Sequence, residues 1–206
     1  MRTFPFGAIA LAICALLGST AGHADAITGI TGQLWLNHPD IASDATIGNV
    51  LSLGAPDATF TSKAINYDST ITGFTVGAFL NNPIFSDPSV AGHPLIDTAI
   101  LLTGTIALNA GINSLIVAHD DGLQLFITGI GLVVDEPGPT APVTTLFNVF
   151  APATGNYAFQ LSYGECCAPP GELVVTVNSV PEPTSLALLA GALIGFGTAV
   201  TRRRQA

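Results

Sequence analysis

Two neighbouring carboxylates at one bend of a chain repel each other, and the sequence places such a pair in His119-Asp120-Asp121-Gly122. Bringing both to one loop costs free energy unless something positive sits between them. Calcium is the natural partner. It takes carboxylate and carbonyl oxygens at about 2.3–2.6 Å in loose geometry, and it serves modules that work outside the cell, where free calcium is high. Asp120 and Asp121 are therefore the candidate metal ligands. The same tetrapeptide also reads as a hairpin turn between the apolar runs 114–118 and 123–128, with Asp121-Gly122 supplying positive φ angles. On polarity alone, Asp135, Asn148 and Glu165 are further candidate oxygen donors.

Cys166 and Cys167 are adjacent, after Tyr163-Gly164-Glu165 and before a Pro-Pro-Gly segment at 169–171. Neighbouring Cα atoms lie about 3.8 Å apart, below the roughly 4.4–6.8 Å of an ordinary disulfide, so a bridge between them would be strained. It would lock a sharp turn into a hard apolar knob; an intermolecular bridge and a reduced pair are the alternatives. No Cys-x-x-Cys or His-rich spacing points to structural zinc. His38, His93 and His119 each stand beside Pro or Asp and are expected in turns. Neither a Gly-x-Ser-x-Gly elbow, a phosphate loop nor a His-Glu-x-x-His helix occurs. Glycosidase carboxylates must face each other across a sugar about 5–9.5 Å apart, which consecutive aspartates cannot do. Asp121 with Glu165 would need the fold to join them, and nothing in the sequence specifies that. No enzymatic activity is expected. Trp35 and Tyr163 are candidate sugar platforms, although Trp35, in an apolar first strand, reads as core.

Composition narrows the class. Of 206 residues, 49% are apolar and only 9% charged, with 22 Gly and 14 Pro, which excludes a highly charged disordered chain. Between residues 27 and 180 Lys63 stands alone against twelve acids, a net charge of −11, which excludes a basic nucleic-acid binder. The same stretch is punctuated by Gly, Pro, Asn and Asp into short apolar or alternating runs at 31–36, 59–65, 71–79, 98–108, 114–118, 123–128, 132–135, 144–150, 157–163 and 173–178. Ten such runs without a long amphipathic helix predict an all-β fold, one antiparallel β-sandwich over 27–180. In 157–163, Tyr157, Phe159, Leu161 and Tyr163 alternate with smaller or polar residues and should share one face. Residues 81–94 and 135–142, rich in Pro, read as surface loops.

Both ends read as addresses. Arg2, an apolar run at 8–17 and the small residues through Ala26 have the form of a secretory signal helix over 1–26, with cleavage after Ala24 or Ala26. Removal would also discard Cys14. At the other end, Pro181-Glu182-Pro183 precedes the uncharged run 186–200, and Arg202, Arg203 and Arg204 follow. Fifteen residues of helix extend about 22 Å, so a single transmembrane helix over about 185–201 must recruit its flanking Ser and Thr residues or thin the bilayer. The arginines form the membrane stop and stay cytoplasmic, which places the domain on the outer face. Gly191 and Gly195 offer a spacing that lets helices approach closely. Residues 180–204 resemble the PEP-CTERM sorting signal of Gram-negative envelope proteins. The resemblance implies export through the inner membrane, recognition of Pro181-Glu182-Pro183 by an exosortase, a C-terminal anchor before processing, and a final place at the cell surface or in the exopolysaccharide matrix.

The segment 98–178 carries the Asp120-Asp121-Gly122 bend, then Gly155-x-Tyr157 and Tyr163-x-Glu165 in one strand. In these it resembles the lectin-like domain first described in anthrax protective antigen and shared with yeast adhesins. The resemblance implies that Asp120 and Asp121, joined by a cis peptide, hold calcium that coordinates carbohydrate hydroxyls. The expected function is thus an exported, exosortase-sorted surface or matrix protein binding polysaccharide through calcium. The alternative is a structural envelope or matrix component with no specific ligand.

Overall fold

The computed structural model describes residues 26–167 and 169–178. Apart from Ala26, the expected signal helix lies outside the described residues, as do Pro181-Glu182-Pro183, the expected membrane helix and Arg202, Arg203 and Arg204. Among the described residues no helix is long and apolar enough to cross a membrane.

The described strands form two antiparallel sheets packed as a sandwich. The larger is ordered β2 (Ala58–Ser62), β1 (Ile27–Trp35), β4 (Thr98–Leu108), β9 (Gly155–Glu165), β6 (Gly122–Ile127), β7 (Gly131–Glu136). The smaller is ordered β3 (Asn66–Asp68), β10 (Glu172–Asn178), β5 (Gly111–Asp120), β8 (Val143–Ala151). Alternation decides which side chains meet between them: Phe159, Leu161 and Tyr163 of β9 are buried, and Tyr157 packs against the same core. The Phe79 ring stacks on Tyr163 at 5.6 Å and lies 5.6 Å from Tyr67, so one aromatic column joins the two sheets.

The outer face of the larger sheet is covered as well. The short helices α1 (Pro39–Ala42) and α2 (Ile47–Ser52) lie on β4 and β9, and Trp35, Val50, Ala99 and Leu101 form a second apolar cluster. This explains why residues 98–102 are buried without alternation. It also explains Gly164 within a long strand: a Cβ there would stand 2.5 Å from the Ala42 carbonyl oxygen.

One expected strand is corrected. Residues 71–79 contribute to two helical turns, α3 (Ser69–Thr72) and α4 (Val76–Phe79). Their starts are fixed by side-chain caps: Asp68 Oδ1 accepts from Thr70 N at 2.7 Å, and Thr75 Oγ1 accepts from Ala78 N at 3.3 Å. Gly73, at φ 103°, separates them. The loop after α4 is less of a surface loop than expected, because Phe85 and Val90 are buried and Phe85 bridges to Phe60.

Candidate functional site

β5 enters the site with Leu115, Val117 and His119 on its inward face. His119 is fully buried, contrary to its expected place in a turn. Its Nδ1 donates to the Asp121 carbonyl oxygen at 2.6 Å, and its Nε2 lies 2.8 Å from Glu136 Oε2 at the end of β7. His38 and His93 do lie between elements, flanking α1 and the 3-10 turn Pro88–Gly92.

Asp120 ends β5 and Gly122 begins β6, yet these strands belong to different sheets. The hairpin reading is therefore overturned: Asp120-Asp121 carries the chain across one end of the sandwich, and its peptide bond is cis. Gly122 is needed there for close approach, since a Cβ would collide with the Pro137 carbonyl.

Both aspartates are buried. Asp121 is anchored on each oxygen: Oδ1 accepts from Thr140 N at 3.1 Å and Oδ2 from Cys166 N at 2.9 Å. The Thr140 bond draws the 137–142 loop over the bend. Cys166 and Cys167 form a vicinal disulfide, and Cys166 Sγ lies 3.0 Å from Asp121 Oδ2. That sulfur carries no hydrogen, so this is a packing contact. Asp121, Cys166 and Cys167 place one potential donor each within 4.8 Å of one another, but the bridged sulfurs are not thiolates. What remains is a hard, oxygen-only set, which suits calcium and does not suit a thiophilic metal.

The Asp120 carboxyl is pushed up to about 6 by burial and by the charge of Asp121, with His119 pulling the other way. A cation between the two carboxylates would relieve this repulsion. Beneath them, Glu165 is fully buried at the end of β9, and its Oε1 has no hydrogen-bond partner among the described residues. Its Oε2 lies 2.7 Å from Tyr163 Oη, which also contacts the Asp120 carbonyl oxygen. One phenolic hydrogen cannot serve two acceptors. The set closes when Glu165 is protonated and donates to Tyr163, which donates to Asp120. Burial raises Glu165 to about 8 and the nearby Asp121 and Asp120 charges add to this, while its hydrogen bonds to Tyr163 and to the Asp121 backbone pull the other way.

The other candidates fall elsewhere. Asp135 faces outward and accepts from Gln124 Nε2 at 2.6 Å, and Asn148 accepts from Ser114 Oγ at 3.1 Å on the outer face of the smaller sheet. Neither joins the site. Tyr163 and Trp35 are core residues and offer no platform to a sugar. Sequence reasoning missed His119 and Glu136; the period-two phase of His119 with Leu115 and Val117 was the available signal for the first.

Comparison with known proteins follows the same division. Residues 179–204 match the PEP-CTERM protein-sorting motif. No curated protein matches the chain. Among solved structures, the chain is similar to the PA14 domain of the MpAFP antifreeze protein (21% identity, TM-score 0.57, covering 78% of this chain and 87% of that one). It is also similar to a PA14 sugar-binding domain from an RTX adhesin (19% identity, TM-score 0.54, covering 75% and 89%). The sandwich thus has the PA14 lectin-like fold.

Proposed function

We propose that this protein is exported, sorted by an exosortase through Pro181-Glu182-Pro183, and binds carbohydrate at the cell surface through calcium held by Asp120 and Asp121. The sorting motif implies processing by an exosortase and a surface destination in a Gram-negative bacterium. Residues 186–200 would sit in the bilayer until that cut is made.

The observation that carries the ligand reading is the buried carboxylate pair at the sheet crossover. Asp121 is held rigid by two backbone N–H groups, whereas among the described residues only His119 pulls the raised Asp120 carboxyl back. Calcium would supply the missing positive charge and present open coordination positions to vicinal sugar hydroxyls. The similar PA14 domain of the RTX adhesin is a sugar-binding one, which supports the same reading.

Glycan binding by the wild type with calcium, and again after chelation, tests this. The proposal expects carbohydrate capture that chelation abolishes and that Asp120→Asn loses. Capture that survives chelation would overturn the calcium role, and no capture would favour a purely structural matrix component.

A further inference from the structure

The register places the two chain exits and the site at opposite ends of the sandwich. Glu172 pairs with Asp120 at the site end of β10, and the strand leaves at Asn178, opposite Ser114. β1 likewise begins at Ile27, opposite Ile106, far from the Thr98 and Glu165 end of β4 and β9.

Beside the Asn178 exit lies an apolar surface. Ile112 of β5 pairs with Phe150 of β8, and Ile116 pairs with Leu146; Ile112, Leu146 and Phe150 are 65%, 58% and 66% exposed. Between them the outer face of the smaller sheet carries only uncharged residues, such as Ser114, Asn148, Thr176 and Asn178. Of the twelve acids between 27 and 180, none lies in the turns 109–110 and 152–154 that close this end. Ile112 and Phe150 thus form an exposed apolar pair at the end of the sheet, set off from Leu146 by the hydrogen-bonded Ser114 and Asn148, and exposed large apolar side chains grouped in this way mark an interaction site.

We propose that the Ile112 and Phe150 end of this surface is a lipid contact: while residues 186–200 are in the bilayer, the sandwich stands end-on on the membrane through Ile112 and Phe150, with Leu146 about 14 Å further along the strand. This goes beyond the ligand reading, but it rests on the membrane placement of the tail. Three observations select lipid as the occupant. Only residues 179–185 separate Asn178 from the apolar run, a tether of at most about 25 Å, so the surface is never far from the bilayer. Among the described residues the turns at the end that would touch headgroups carry no acid, and in the tether only Glu182 does. The acids of the site point away from the membrane, because β8 separates Phe150 from Thr144, which pairs near the site with Ala118, by about 20 Å.

Full-length protein in liposomes of phosphatidylcholine with brominated acyl chains tests this. Flotation first reports whether the tail is inserted. Phe150→Trp and Thr144→Trp then place a fluorophore at either end of the same strand, with the wild-type signal of Trp35 subtracted. The inference expects Phe150→Trp to lose most of its fluorescence to the brominated lipid and Thr144→Trp to lose none. Protein that floats with no quenching, or with equal quenching at both positions, overturns the inference and leaves the anchor standing. A shielded Phe150→Trp without lipid quenching, in a particle of twice the monomer mass, shows that a second copy covers the surface and equally overturns it. Failure to float removes the anchor and the lipid contact together.

Discussion

At the residue scale the site is a stack of acids with too little positive charge. Glu165 and Asp120 are both raised, from 4.5 to about 8 and from 3.8 to about 6, so the folded chain binds their protons more tightly than the unfolded chain does. The sign follows by linkage: the contribution of these two groups to metal-free stability is fully present below about pH 4 and is lost as pH rises through 6 and then 8. Thermal melts in chelator should therefore show Tm falling from pH 5 to pH 8. Glu165→Gln keeps a donor to Tyr163 without a titrating proton and should flatten the upper part of that fall; an unchanged slope would remove Glu165 from the account. Asp121→Asn keeps one good acceptor but turns an amide N–H₂ towards a backbone N–H. It should cost about 1–3 kcal/mol in denaturant unfolding of the metal-free protein.

At the scale of elements, the crossover depends on close packing between loops and strand ends. Gly122→Ala would drive a methyl into the Pro137 carbonyl and lift the 137–142 loop from Asp121, an overpacking cost of about 1–3 kcal/mol readable by chemical denaturation. Phe79→Ala would remove the ring between Tyr67 and Tyr163 and should cost about 3–5 kcal/mol in the same measurement. Most strands were legible because burial on one face leaves a period of two, as in Tyr157, Phe159, Leu161 and Tyr163. The 71–79 segment was not, because the caps at Asp68 and Thr75 outweigh an apolar run that by itself suits a strand. Nor could local sequence separate a hairpin from a crossover at Asp120-Asp121. The deciding facts are non-local, namely that β6 pairs with β9 and β5 with β10. Glu165 was named on polarity, but its depth beneath the bend follows from the pairing of β9 with β4 and β6. Asp135 and Asn148 were equally polar and face outward.

Across the whole molecule, charge is unevenly placed: among the described residues no acid lies in the turns 109–110 and 152–154 beside Ile112 and Phe150. The domain between 27 and 180 carries a net charge of −11, and an acidic polysaccharide would be repelled by it in the absence of divalent cations. Affinity for such a polymer should therefore rise with calcium and vanish in chelator, whereas a simple sodium-dependent screening would act gradually and without saturation. The central claim is the occupancy of the crossover by a cation, and isothermal calorimetry with calcium tests it most directly. One saturable site per chain is expected, with Kd of about 10⁻⁴–10⁻³ M or tighter, as in extracellular modules, and with its heat abolished in Asp120→Asn. No heat with the wild type, or the same heat from Asp120→Asn, would contradict it.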